Sequence, residues 1–170
     1  MDLGLTRECS IAAAEILQAI SKHANDRFNS LAAELVPFVF VAKHDSNEQV
    51  KEIFQETWND NVGGARAVAL YLKEIIALSE ERLESPQWVV KHTAARSIAD
   101  ATVAVGSMST GMDVSTATIL WPALQKALSG KTWEGKEVVL HAFVKFVETG
   151  NNYWSTRQEV AQGIVQVSTV

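Results

Sequence analysis

The sequence predicts an all-α protein built of stacked antiparallel helix pairs. Three observations carry that prediction. Apolar residues recur at helical spacing along nearly the whole chain without strand-like alternation, the breaks between these runs are short and polar, and the runs repeat in register. Composition agrees: 47% of the 170 residues are apolar, with many Ala, Leu and Val, while only 3 are Pro and 8% are aromatic. That balance favours packed helices over sheets.

Eight helices follow from the pattern. The first, near 6–24, carries Ile11, Ile16, Leu17 and Ile20 and stops at Asn25-Asp26. Phe28, Leu31, Leu35 and Val39 mark the second. Ser46-x-x-Gln49 is a capping box ahead of the third, whose stripe is Val50, Ile53, Phe54, Thr57 and Trp58. Asn59-Asp60-Asn61-Val62-Gly63-Gly64 is a turn-forming break, and the fourth helix spans about 65–82. Ser85-Pro86 opens the fifth, with a hydroxyl cap and a proline whose missing N–H costs nothing there, and it runs to about 105. Gly106 to Asp113 forms the longest loop. The sixth helix starts near Ser115 with Leu120, Ala123, Leu124, Ala127 and Leu128 on one face, and Ser129-Gly130 stops it. The seventh, from about Trp133, holds Val138, Val139, Ala142, Phe143, Phe146 and Val147 and ends at Gly150-Asn151-Asn152, residues that accept left-handed geometry. A second capping box, Ser155-x-x-Gln158, starts the eighth.

Repetition decides between a bundle and an array. Leu35-Val36-Pro37-Phe38 matches Leu120-Trp121-Pro122-Ala123, each a proline inside a helical stripe, where it should kink the helix. The prolines stand 85 residues apart (122 − 37), two units of about 42, inside the ~40–47 residue period of HEAT and armadillo repeats. The same interval pairs Lys51 with Lys136, Phe54 with Val139 and Trp58 with Phe143, and Lys91 supplies the middle repeat 40 residues after Lys51 (91 − 51). The expected fold is therefore an α-solenoid of HEAT-like pairs. Its parts are a lone second helix (6–24), pairs at 28–59, 65–105 and 115–149, and a lone first helix (155–170). Because Ile164, Val165 and Val167 stand on a last helix with no partner to cover them, the sequence reads as a piece excised from a longer array. Such a piece should self-associate through its uncovered faces.

Charge and motif content narrow the function. A net charge of −5 gives no electrostatic reason to seek nucleic acid or an anionic membrane. No window approaches the ~18 apolar residues of a membrane span, no basic start with an apolar run marks a signal peptide, and a lone Cys9 with no glycosylation sequon fits a reducing compartment. Cys9 itself reads as a small packing residue. Gly130-Lys131-Thr132 mimics the end of a P-loop, but Gln125 stands where the loop needs glycine; Gly106 and Gly111 have the spacing, but Met112 replaces the lysine. His23, His44, His92 and His141 are scattered, without a cysteine or carboxylate cluster at metal spacing, and no serine sits in a nucleophile elbow. No catalytic residue, metal or cofactor is expected.

Two residue sets remain. Lys51 and Lys91, with Asp45 and Glu84 ahead of them in the intra-repeat turns, have the spacing of a structural acid–base ladder between repeats. The third repeat breaks that pattern: Lys131, Trp133 and Lys136 put an aromatic between two lysines on the solenoid edge. This set could anchor an acidic protein partner, or Trp133 could fold back as a hydrophobic staple on its own helix.

Asp26-Arg27-Phe28, Leu35-Val36-Pro37-Phe38-Val39-Phe40, Lys43-His44-Asp45, Tyr71 to Ile76, Gln87 to Lys91, and above all Leu128-Ser129-Gly130-Lys131-Thr132-Trp133-Glu134-Gly135-Lys136-Glu137 resemble the C-terminal part of the large HEAT-repeat proteasome adaptor and scaffold proteins, the Ecm-type proteasome components, in their fungal form. The resemblance covers nearly the whole chain. It implies a non-catalytic scaffold in the cytoplasm and nucleus that tethers proteasome core and regulatory particles and takes part in proteasome quality control. It brings no site residue with it. The alternative is a HEAT module for another protein, of tubulin-binding or nuclear-transport type; the tubulin reading expects basic or aromatic residues in successive turns, which Asp45-Ser46-Asn47 and Glu84-Ser85 do not supply.

Overall fold

The computed structural model describes residues 3–129 and 131–168. Gly130, expected to help stop a helix and to end the P-loop mimic, lies outside them. Eleven helices and no strand occur among the described residues: α1 (Leu3–His23), α2 (Asn25–Ser30), α3 (Ala32–Ala42), α4 (Glu48–Asn61), α5 (Ala65–Leu70), α6 (Leu72–Leu83), α7 (Trp88–Gly106), α8 (Val114–Leu128), α9 (Glu137–Thr149), α10 (Asn151–Trp154) and α11 (Gln158–Ser168). They pack in two layers. In one, α3 lies against α6 and α6 against α8; in the other, α1 lies against α4 and α7 against α9; and α3·α4, α6·α7 and α8·α9 join the layers as helix pairs. This is an α-solenoid.

The repeat is visible in burial. Phe54, Ala94 and Val139 occupy one register position, Thr57, Ser97 and Ala142 the next, and Trp58, Ile98 and Phe143 a third, and all nine are buried. The register is Lys51, Lys91, Lys136 carried inward. Where the position holds a hydroxyl, it is satisfied within its own helix: Thr57 Oγ1 donates to the Ile53 carbonyl and Ser97 Oγ to the Thr93 carbonyl, both at 2.8 Å. The first helices repeat likewise, with Phe28 and Val68 buried on α2 and α5, and Val36 and Ile76 on α3 and α6.

Those first helices are broken, but not at the prolines. The chain leaves helical geometry at Leu31 (φ −112°, ψ 17°) and at Tyr71 (φ −105°, ψ 18°), equivalent positions in successive repeats. α3 runs through Pro37 and α8 through Pro122, and the second break has no proline near it. The break is therefore shared by the first two repeats and does not need the proline ring, whereas α8 of the third repeat is continuous. It also leaves Leu31, expected in the apolar stripe, half exposed.

Helix starts use other residues than the capping boxes suggested. Asn47, not Ser46, caps α4: its side-chain oxygen accepts from the Gln49 N–H at 3.1 Å and the Val50 N–H at 3.5 Å, while Asp45 Oδ1 accepts from Asn47 N at 2.8 Å. Ser85 Oγ accepts from Gln87 N at 3.2 Å, a turn contact that precedes a helix beginning at Trp88. Ser155 follows the short α10 and starts nothing; the Thr156 hydroxyl donates back to the Tyr153 carbonyl. Asp113 caps α8 through Thr116 N at 2.7 Å. Gly150 sits at φ −95°, not in left-handed geometry, whereas Gly63 and Gly64 have φ 41° and 86° and make the turn for which their freedom is needed.

At the last helix Ile164 is buried and Val167 is packed on the core, while Val165 is 61% exposed. Gly163 allows this approach, because a Cβ there would come 2.9 Å from Trp121 Cζ2. Two of the three residues expected to lack cover are thus covered. Cys9 departs from expectation in the other direction and is exposed.

Candidate protein-binding edge

Two successive intra-repeat turns, the one joining α6 to α7 and the one joining α8 to α9, enclose a cleft of about 280 Å³. Its floor is apolar, with Leu83, Ala95 and Ala127; its rim carries Trp88, Lys91, Lys126, Lys131 and Trp133, and Glu84 is the acid among them. Each part has a local cause. Trp88 is the first residue of α7, so its indole is not drawn into a helix interface and stays 63% exposed, next to an exposed Val89. Lys91, one turn further on, lays its ammonium 5.5 Å from the Trp88 ring centre.

Trp133 is held differently. Its ring is stacked on His92 with centroids 4.1 Å apart and planes 10° from parallel, and the Arg96 guanidinium lies 5.5 Å from its centre. It packs on α7, the preceding repeat's helix, and not as a staple on its own helix, which begins only at Glu137. Burial, and then the charge of Arg96, keep the His92 ring below the ordinary imidazole range, and its Nε2 is buried without a hydrogen-bond partner. Lys136 is buried as well, its Nζ donating to the Lys131 carbonyl at 3.4 Å. Of the three residues expected to form the edge, then, Lys131 is exposed, Trp133 is partly covered and Lys136 points inward, where it fixes the turn.

The expected ladder is redistributed. Asp45 turns its carboxylate onto the Asn47 N–H, and Lys51 pairs with Glu48 on its own helix at 3.0 Å. Glu84 pairs with Lys126 of the next repeat; that hydrogen bond and charge, with a smaller contribution from Lys91, hold its carboxyl below the usual range. A second link between repeats lies at the end of α3. Lys43 Nζ meets Asp100 Oδ2 at 2.7 Å, and His44 Nε2 meets the same oxygen at 3.1 Å, joining the end of α3 to α7. Partial burial pushes the Asp100 pKa up, but the His44 hydrogen bond and the Lys43 charge outweigh it and bring it down to about 2. Lys43 is itself buried over the faces of Phe40 (4.3 Å) and Trp58 (5.1 Å). The Lys43–Asp100 pair borders a wider groove of about 580 Å³ across α4, α7 and α9, in which Arg96, Glu137, Val138 and His141 also stand.

No group of three or more His, Cys, Asp or Glu that could hold a metal occurs among the described residues, and none of their helices is long and apolar enough to cross a membrane. The chain is 28% identical over 144 residues, 85% of its length, to the proteasome component ecm29 of Schizosaccharomyces pombe. It is 29% identical over 133 residues to the human proteasome adapter and scaffold protein ECM29, and 31% over 130 residues to the Drosophila melanogaster proteasome-associated protein ECM29 homolog, 74% of the chain in each case. The chain is an Ecm29 relative. It spans about 8% of the length of the fission-yeast protein and 7% of the human and fly proteins. No protein-family model and no solved structure matches it. The Ecm29 relatives are named as components, adapters and scaffolds, which agrees with a fold that displays clefts between repeats.

Three edge residues escaped the sequence reading. Trp88 falls inside the expected fifth helix, where nothing in the pattern marks it as exposed, Lys126 lies on a first helix and not in a turn, and His92 has no signal beyond standing one helical turn from Trp88. The signal present was Gln87-Trp88-Val89-Val90-Lys91, a run with apolar residues too many for one buried face.

Proposed function

We propose that this chain is a non-catalytic, protein-binding segment of a proteasome scaffold, working in the cytoplasm and nucleus. It contributes to tethering core and regulatory particles and to proteasome quality control. The observation that carries the reading is the similarity, over most of the chain, to relatives named as proteasome adapter and scaffold proteins. The fold supports it: stacked helix pairs present a continuous surface, and binding energy spread along such a surface suits a tether that must not be displaced by loss of a single contact. Co-sedimentation with purified proteasomes tests it. The chain is expected to travel with the assembled particle; a chain that stays at the top of the gradient at every concentration contradicts the reading.

A further inference from the structure

The edge cleft has a feature that the scaffold reading does not use. The chain as a whole is acidic, yet Lys91, Lys126 and Lys131 converge on one cleft whose single lining acid, Glu84, is already engaged by Lys126. Lys91 lies beside the Trp88 ring face and adds only a smaller part to the charge on Glu84, and Lys131 stands exposed on the opposite turn. Between them Trp88 offers an uncovered indole above an apolar floor.

From this arrangement we infer that the cleft between the second and third repeat turns binds an acidic peptide segment of a partner protein, with carboxylates on Lys91 and Lys131 and one apolar side chain against Trp88. The inference deepens the scaffold reading by giving the partner's chemistry. A cleft of about 280 Å³ has room for one or two side chains and not for a folded helix. Charge complementarity selects the occupant: two lysine ammonium groups at opposite lips suit carboxylates spaced along an extended backbone, and an exposed indole beside cations is the residue type that dominates interface energy. A polynucleotide fits less well, because a net charge of −5 repels a long polyanion that must extend beyond the cleft. Trp133 is a positioning residue here. Its stack on His92 fixes the turn that carries Lys131.

The test is a titration of the chain with a fluorescent synthetic peptide in which Glu and Asp flank a single Leu. Its Gln/Asn counterpart and an oligo(dT) of equal charge serve as comparisons. The acidic peptide should bind, the uncharged one at least about tenfold more weakly, and affinity should fall as salt is raised. Trp88→Ala and Lys131→Glu alter exposed side chains and should each weaken binding about tenfold or more while the helical circular dichroism stays unchanged. Equal binding of the charged and uncharged peptides, tighter binding of oligo(dT), or variants that bind like the parent would each overturn the inference. The titration contains no proteasome. A chain that binds the peptide but not proteasomes would remove the scaffold reading alone, and one that binds proteasomes but not the peptide would remove this one alone.

Discussion

At the level of single residues, the indole of Trp133 is stacked on the preceding repeat, and its role follows from that contact. Stacking on His92 and the nearby Arg96 tie the third turn to α7. Trp133→Ala should therefore cost about 2 kcal/mol from lost aromatic burial and stacking. For a chain of this size that is a drop of roughly 4–8 °C in Tm, readable by thermal melts. Asp100 yields a pH prediction. Its pKa in the folded chain, about 2, lies below its ordinary value, so its stabilisation is fully present above about pH 4 and is lost as pH falls through about 2. Asp100→Asn should lower stability by about 1 kcal/mol at neutral pH, a value reduced for the carboxylate's partial exposure, and the gap between variant and parent should close on acidification. Urea melts across that range measure it. The sequence made Trp133 and the lysines stand out by type and position. It could not show that Lys136 points inward or that Glu84 reaches across to Lys126, because such pairings depend on the angle at which one repeat sits on the next.

The helices themselves were largely legible, since a stripe such as Val50, Phe54, Thr57 and Trp58 leaves only one face to bury. Their ends were less so. Several neighbouring residues in each turn can cap, and Asn47 displaced Ser46 because Asp45 already holds the Asn47 N–H and orients that side chain over the helix start. Asn47→Ala should cost about 1 kcal/mol and Ser46→Ala close to nothing, a contrast that chemical denaturation of the two variants resolves. The breaks at Leu31 and Tyr71 carry no local signal, because neither residue is a helix breaker; their shared place in the repeat points to packing as the cause. α11 supplies another element-level test. Gly163 lies against Trp121, so Gly163→Val should force the helix off its neighbour, overpacking by about 1–3 kcal/mol and exposing the buried Ile164. A melt as stable as the parent's would show that α11 is not docked there.

Across the whole molecule, the solenoid could be read in advance because the 85-residue interval between Pro37 and Pro122 survives in the buried positions, with Phe54 matched to Val139 and Trp58 to Phe143. The partner surface could not, because exposure is set by what neighbouring repeats leave uncovered. Ile16, Leu140, Val144 and Val165 remain substantially exposed, and sedimentation velocity should show self-association growing with concentration. The claim that joins fold to function is that proteasomes are met at the edge formed by the second and third turns. Lysine-directed crosslinking of the protein on purified proteasomes, read by mass spectrometry, tests it most directly. The account predicts crosslinks from Lys91 and Lys131 to proteasome subunits, reduced in Trp88→Ala; crosslinks that arise only from lysines remote from this edge, such as Lys22 and Lys73, would contradict it.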